Sequence, residues 1–393
     1  MSLFSQRFQA GPEANELARR LAAKRAAGRA VIDLTESNPT RADLIFPPGM
    51  LSAAWAAATD RPYAPDPRGL EAARQALVEY HGAVGAAVGP EAFFLTAGTS
   101  EAYAMLFKLL ADPGDEILIP RPGYPLLAYL AGFENMRGVF YPLTYRAERG
   151  WEIDLEVLAA LVTPRTRAVV AVNPNNPTGS FLKTEELLFL DDLCRRRGMA
   201  LIVDEVFSDY AAAPDVRRVR SIVGRTGCLS FALNGFSKLL ALPQVKLAWM
   251  VLGGEGALVR AAAERLEMLL DFYLSVSTPV QHAARRLLEG RQVIQAQVRA
   301  RLSANRAALE ALVAPVGDCR VLACEGGWYA IVAIDDEVTD EDRALELLDR
   351  ADTLIHPGCF YEFNREGYVV VSLLPRPEEF RTGIERLVGL FGK

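Results

Sequence analysis

The residues best suited to chemistry follow one another in a fixed order along the chain. Lys238 ends Gly235-Phe236-Ser237-Lys238 and is followed by Leu239-Leu240-Ala241-Leu242. A lysine in apolar surroundings loses basicity and can act as an amine nucleophile. Asp204 ends the apolar stretch Ile202-Val203, where a carboxylate is costly to bury unless a cation of the protein or of a ligand meets it. Asn173-Pro174-Asn175-Asn176-Pro177-Thr178-Gly179 follows the run Ala168–Val172. A stiff loop of Asn and Pro beyond a parallel strand lies where open α/β sheets bind ligands. Pro120-Arg121-Pro122-Gly123-Tyr124-Pro125 offers Tyr124 as a stacking surface for a flat ligand. Thr96-Ala97-Gly98-Thr99-Ser100 stands between a strand and a helix. Free N–H groups and a positive dipole end make such a turn a phosphate site, and Gly98 permits close approach. Taken singly, these features read as a solvated lysine, a turn or a helix cap.

Together they supply a phosphate cradle, a stacking ring, a polar loop, a buried acid and a reactive amine. Pyridoxal phosphate (PLP) needs each of these: anchoring for its phosphate, a face for its ring, an acid for its pyridine nitrogen and a lysine for its aldehyde. The Asn-Pro-Thr-Gly loop, the strand-end Asp204-Glu205 and Ser237-Lys238 followed by Pro243-Gln244-Val245-Lys246 occur in the order found in one family. From about Tyr63 to its C-terminus the chain resembles the class I/II aminotransferases, PLP enzymes of fold type I. The resemblance implies that Lys238 is the Schiff-base lysine, Asp204 the partner of the pyridine nitrogen, Asn176 the donor to the ring oxygen and Tyr124 the stacker. It implies a phosphate site of Gly98, Thr99 and Ser100, with Ser237 and Lys246 adding contacts. Tyr63 is similar to a tyrosine that reaches the phosphate in the partner subunit, which implies a homodimer with shared active sites.

The implied activity is amino-group transfer between an amino acid and a 2-oxo acid. A carbon–sulfur β-lyase of the same fold and a non-catalytic PLP-binding regulatory protein are the alternatives. Three positions depart from the family pattern. Phe207 stands where many members have tyrosine, Gly235 where many have serine, and Val370 where an arginine grips the substrate carboxylate. Arg41, after Asn38-Pro39-Thr40, and Arg376 are the candidates to replace that arginine, and Asn38 and Trp328 complete the candidate substrate residues.

Elements must hold these residues in place. Leu70, Ala73, Leu77, Tyr80 and Val84 recur at helical spacing, and Ser100–Leu110 and Thr184–Arg197 read as helices. Ala92–Thr96, Glu116–Pro120, Arg167–Val172, Ala200–Asp204, Cys228–Ala232 and Leu247–Leu252 are short apolar runs suited to strands buried on both faces. The alternation predicts an α/β fold with a large, mostly parallel, helix-flanked sheet and a smaller α+β domain. Residues 51–280 are expected to form the large PLP-binding domain. Residues 1–50 and 281–393, with a long helix Val280–Leu312 broken near Gly290, are expected to form the small one.

The 393 residues carry a net charge of −6, which speaks against the basic footprint that nucleic acid requires. No apolar run approaches the roughly 18–20 residues of a membrane span. The charged N-terminal stretch with Arg7, Glu13, Glu16, Arg19 and Arg20 does not read as a signal peptide. The five cysteines form no CxxC pair, and no His lies at ligand spacing, so reduced thiols, no metal and a cytoplasmic location are expected. The acidic run 335–352 and the basic run 285–306 read as solvated faces.

Overall fold

The computed structural model describes the chain except residues 1, 2, 4, 6, 8–14, 57, 59, 275 and 393. Glu13, counted in the charged N-terminal stretch, lies outside the described residues. Eight strands form the main sheet in the order Phe93–Thr96, Ala248–Gly253, Ser230–Gly235, Ala200–Asp204, Thr166–Val172, Glu116–Arg121, Arg137–Arg146, Gly150–Ile153. The four strands from Ser230–Gly235 to Glu116–Arg121 and their neighbour Arg137–Arg146 are mutually parallel. Ala248–Gly253 runs against both its neighbours, and Gly150–Ile153 turns back on the edge.

Alternate residues of the central strands feed two cores. Val169, Leu201, Val203 and Ala232 face one, and Val170, Ile202 and Phe231 face the other. With both faces covered, Val, Ile and Leu can occupy every position, which is why these strands read as unbroken apolar runs. The strand expected over Cys228–Ala232 is Ser230–Gly235, displaced toward Lys238. The strand Arg137–Arg146, next to the edge, and the helices Leu126–Phe133 and Gly256–Tyr273 escaped the sequence reading. That strand mixes exposed and buried positions, so it lacks the apolar run that marks the central strands.

The expected long helix is two, Thr278–Glu289 and Arg291–Val313, meeting at Gly290. A four-stranded antiparallel sheet follows, ordered Cys319–Val321, Tyr329–Ile334, Tyr368–Ser372, His356–Pro357. Ile32–Asp33 pairs in parallel with Thr353–Leu354, and Lys24 reaches Asp352 at 2.7 Å, so the two ends of the chain meet.

Candidate active site

Three loops leave the main sheet side by side. In the ladder Val172 pairs with Asp204 and Asp204 with Leu233, so the loops beginning at Asn173, Glu205 and Phe236 share one end of the sheet. This is the carboxyl end of the parallel strands, where α/β sheets hold ligands. A cleft opens there, lined by Thr99, Tyr124, Asn176, Asp204, Phe207, Ser237 and Lys238 among others. It encloses about 170 Å³, far beyond the roughly 10–15 Å³ that one water needs.

Side-chain hydrogen bonds build the walls. Asn173 donates to the Val219 carbonyl (2.7 Å) and accepts from the Leu182 amide (2.9 Å). Asn175 donates to the Pro122 carbonyl at 3.1 Å, tying this loop to the turn that carries Tyr124. Gly179 has φ of +69°, and a Cβ there would lie 2.2 Å from Cys324 Sγ, so only glycine fits. Asn173 and Asn175 thus hold the loop, while Asn176 Oδ1 is buried without a partner.

Lys238 Nζ lies 5.1 Å from the ring centre of Trp328 and 5.8 Å from that of Phe207. Burial in this aromatic corner lowers the pKa of the lysine, against the raising effect of Asp204. The Lys238 carbonyl accepts from the buried Tyr210 hydroxyl at 2.7 Å, which pins the backbone beneath it. Asp204 accepts from the Val206 amide (3.1 Å) and the Tyr103 hydroxyl (3.2 Å). Burial pushes its carboxyl up to about 6, against the lowering effect of these two hydrogen bonds and of Lys238.

Gly98 precedes the helix Thr99–Leu110. Among the described residues beyond its chain neighbours, a Cβ on Gly98 would approach Lys246 Nζ alone, at 3.7 Å, so an open space bounded by a cation lies over the helix N-terminus. Gly235 is glycine for packing: a Cβ would come within 2.9 Å of Ala248 Cβ on the neighbouring strand. Tyr124 lines the cleft with its ring partly exposed, and burial of its hydroxyl pushes its pKa up to about 12.

The remaining expected residues lie otherwise. Trp328 is fully buried behind Lys238. Ser100 follows Thr99 in the first turn of the helix but does not line the cleft. Asn38 caps the short turn Pro39–Arg41 and accepts from Thr40, and it too is absent from the cleft lining. Arg41 pairs with Glu36 at 3.2 Å on the surface, and Arg376 pairs with Asp43; neither arginine lines the cleft. Val370 is buried in the small sheet between Ile331 and His356. Tyr63 is exposed. Sequence reasoning missed Tyr103, Ser37 and Tyr329. Ser37 and Tyr329 line the cleft and hydrogen-bond through their side chains. No local motif marks these three, because each reaches the site from a different element.

These residues suit PLP. A buried carboxylate with spare lone pairs, an Asn176 side-chain amide whose N–H donors are not spent on the protein, an amine of lowered basicity and a cation over an open helix end form a complementary donor and acceptor set.

Comparison with known proteins gives the same reading. The family model described as aminotransferase class I and II matches residues 29–387, and the chain belongs to that family. The chain is a PLP-dependent aminotransferase of fold type I. The glutamate-pyruvate aminotransferase AlaA of Escherichia coli is 27% identical over 328 residues, covering 82% of this chain and 80% of that protein. The alanine aminotransferase of Mycobacterium bovis is 29% identical over 334 residues, covering 82% and 76%. The structure of alanine aminotransferase from Pyrococcus furiosus superposes with a TM-score of 0.90 at 24% identity, over 99% of both chains. These relatives are named for amino transfer, so neither the β-lyase nor the regulatory alternative is favoured. Among the described residues no helix is long and apolar enough to cross a membrane.

Proposed function

We propose that the cleft around Lys238 is the transamination centre and that it exchanges amino groups between amino acids and small 2-oxo acids. The observation that carries this reading is the meeting of Lys238 and Asp204 in one cleft with the partnerless Asn176. When bound, PLP supplies a carbonyl that holds the amino group and a ring that accepts electrons from the substrate Cα. Lys238 is the attachment point and the proton carrier. Its lowered basicity keeps a larger share of Nζ neutral near pH 7, so it can take the Cα proton and return it elsewhere. Asp204 holds the ring nitrogen in its protonated form through a charge-assisted hydrogen bond. The Asn176 amide would donate to the ring oxygen, and Tyr124 would cover the ring. Gly98, Thr99, Ser100, Ser237 and Lys246 receive the phosphate. Ser37 and Tyr329 give the substrate side of the cleft two hydroxyls. The names of the alanine and glutamate-pyruvate aminotransferases support small, polar substrates.

Residues 51–280 form the large domain in this reading, with 1–50 and 281–393 as the small one. The pairing of Ile32–Asp33 with Thr353–Leu354 supports that division. The enzyme works as a homodimer, and Tyr63 serves the partner's phosphate site. Exposed Met268, Phe272, Tyr273 and Leu274, and an exposed Tyr63, support a surface covered by a second copy. Five free thiols suit the reducing cytoplasm.

The test is a panel of amino donors mixed with the PLP-loaded enzyme. Alanine and glutamate are expected to convert the cofactor spectrum to that of the pyridoxamine form, and pyruvate to restore it. A loaded enzyme unmoved by every amino acid would overturn the reading.

A further inference from the structure

We infer that Tyr103 is a positioning residue that orients the Asp204 carboxylate and keeps it ionised; the inference rests on the role just given to Asp204. Asp204 ends a strand in a fully buried setting, and each of its oxygens receives one donor. Oδ1 accepts the Val206 amide, a bond set by the local turn, and Oδ2 accepts the Tyr103 hydroxyl. Tyr103 is itself buried, and Asp204 is the acceptor that satisfies its hydroxyl. Its ring is held against Phe107, with centroids 5.8 Å apart, so the hydroxyl is not free to wander.

The position of Tyr103 on its helix gives the contact its purpose. Tyr103 is four residues beyond Thr99, so the two share a face of Thr99–Leu110, about 6 Å apart along the axis. One rigid helix therefore presents the open turn at Gly98 and braces the carboxylate one turn further in. It sets the spacing between the two ends of the cofactor site.

The groups facing Asp204 are Lys238, Glu205, Tyr103 and Tyr124. Burial dominates and raises the Asp204 carboxyl; the Val206 amide, Tyr103 and Lys238 oppose it, in that order. A hydrogen bond to the charged form favours that form. Removing Tyr103 Oη must therefore make Asp204 more basic.

The experiment is Tyr103→Phe in the full-length protein, with Tyr141→Phe as control. Tyr141 is another buried tyrosine whose hydroxyl donates to a backbone carbonyl, that of Val170, at 2.8 Å. The Asp204 carboxyl is followed by ¹³C NMR of labelled aspartate, assigned with Asp204→Asn. Tyr103→Phe should raise its midpoint by about one to two pH units, the size carried by one hydrogen bond to a charged group. In the PLP-loaded enzyme, where the ring nitrogen also favours the carboxylate, the acid limb of kcat should move up as well. Tyr141→Phe should leave both in place. An unmoved midpoint in a folded Tyr103→Phe protein, or an equal shift in Tyr141→Phe, overturns the inference. Should Tyr103→Phe not fold, the parent carries the test: the Tyr103 Cζ resonance must titrate together with Asp204, and an unresponsive resonance overturns it. Failure of Asp204 itself would show differently, as full activity in Asp204→Asn.

Discussion

Asp204 carries the sharpest consequence at the scale of single residues. Before the cofactor binds it is ionised at pH 7, with burial bringing its pKa to about 6. A protonated carboxyl no longer balances a protonated ring nitrogen. In the loaded enzyme the charge on the ring nitrogen would hold the carboxyl lower still, so the rate of amino transfer should fall only at a pH below about 6, and Asp204→Asn should lose at least about tenfold in kcat/KM, or about 1.4 kcal/mol, at every pH. A flat profile with a smaller loss would remove Asp204 from the chemistry. Arg41 and Arg376 lead to the opposite expectation. Both are exposed and already paired with Glu36 and Asp43, and exposed pairs are worth little. Arg41→Gln and Arg376→Gln should each change kcat/KM by less than about threefold; a loss near 10²-fold in either would make that arginine the substrate clamp. Lys238, Asp204 and Asn176 were legible in the sequence because each sits in a short motif whose neighbours have no simpler use. Tyr103, Ser37 and Tyr329 were not, since their roles depend on which distant element they face.

The elements most exposed to test are the helix Thr99–Leu110 and the turn that carries Lys246. The turn places Lys246 in a left-handed conformation, φ of +58°, with Nζ beside Gly98. Lys246→Met keeps the length of the side chain and removes its charge. It should weaken PLP binding by about tenfold or more, as loss of a charge-assisted hydrogen bond predicts, without unfolding the protein. Equilibrium dialysis of PLP measures this, and unchanged affinity would separate Lys246 from the phosphate. The central strands could be read from the sequence because two-sided burial fills them with Val, Ile and Leu. The strand Arg137–Arg146, next to the edge, could not, because exposed and part-buried positions interrupt its apolar run and Pro142 stands within it. Parallel and antiparallel order was equally hidden: Ala248–Gly253 is as apolar as its parallel neighbours, yet it runs against them.

Over the whole molecule, stability should depend on His81, far from the chemistry by motif but buried in the main core. Trp249 Nε1 donates to His81 Nε2 at 3.1 Å, which requires that nitrogen to be unprotonated. Burial depresses the imidazole from 6.5 to about 4. The unfolded chain thus binds a proton between these values that the folded protein refuses. Stability is held above about pH 6.5 and is lost as pH falls toward 4, by about 3 kcal/mol for this group. Urea titrations of His81→Gln should show a flatter acid slope than the parent; identical slopes would place the acid sensitivity elsewhere. The association of two copies is a second property at this scale. Tyr63→Phe should weaken PLP binding in proportion to the dimer present, and a parent protein that sediments as a monomer at micromolar concentration would contradict the shared site.

The central claim, that Lys238 carries the cofactor, has a direct measurement. The PLP-loaded protein is reduced with borohydride, digested and mapped by mass spectrometry. The account predicts one modified peptide, with the added mass on Lys238, and none in Lys238→Ala. Mass on Lys108, Lys183 or Lys246 of the parent, or reduction that leaves no modified peptide, would contradict it.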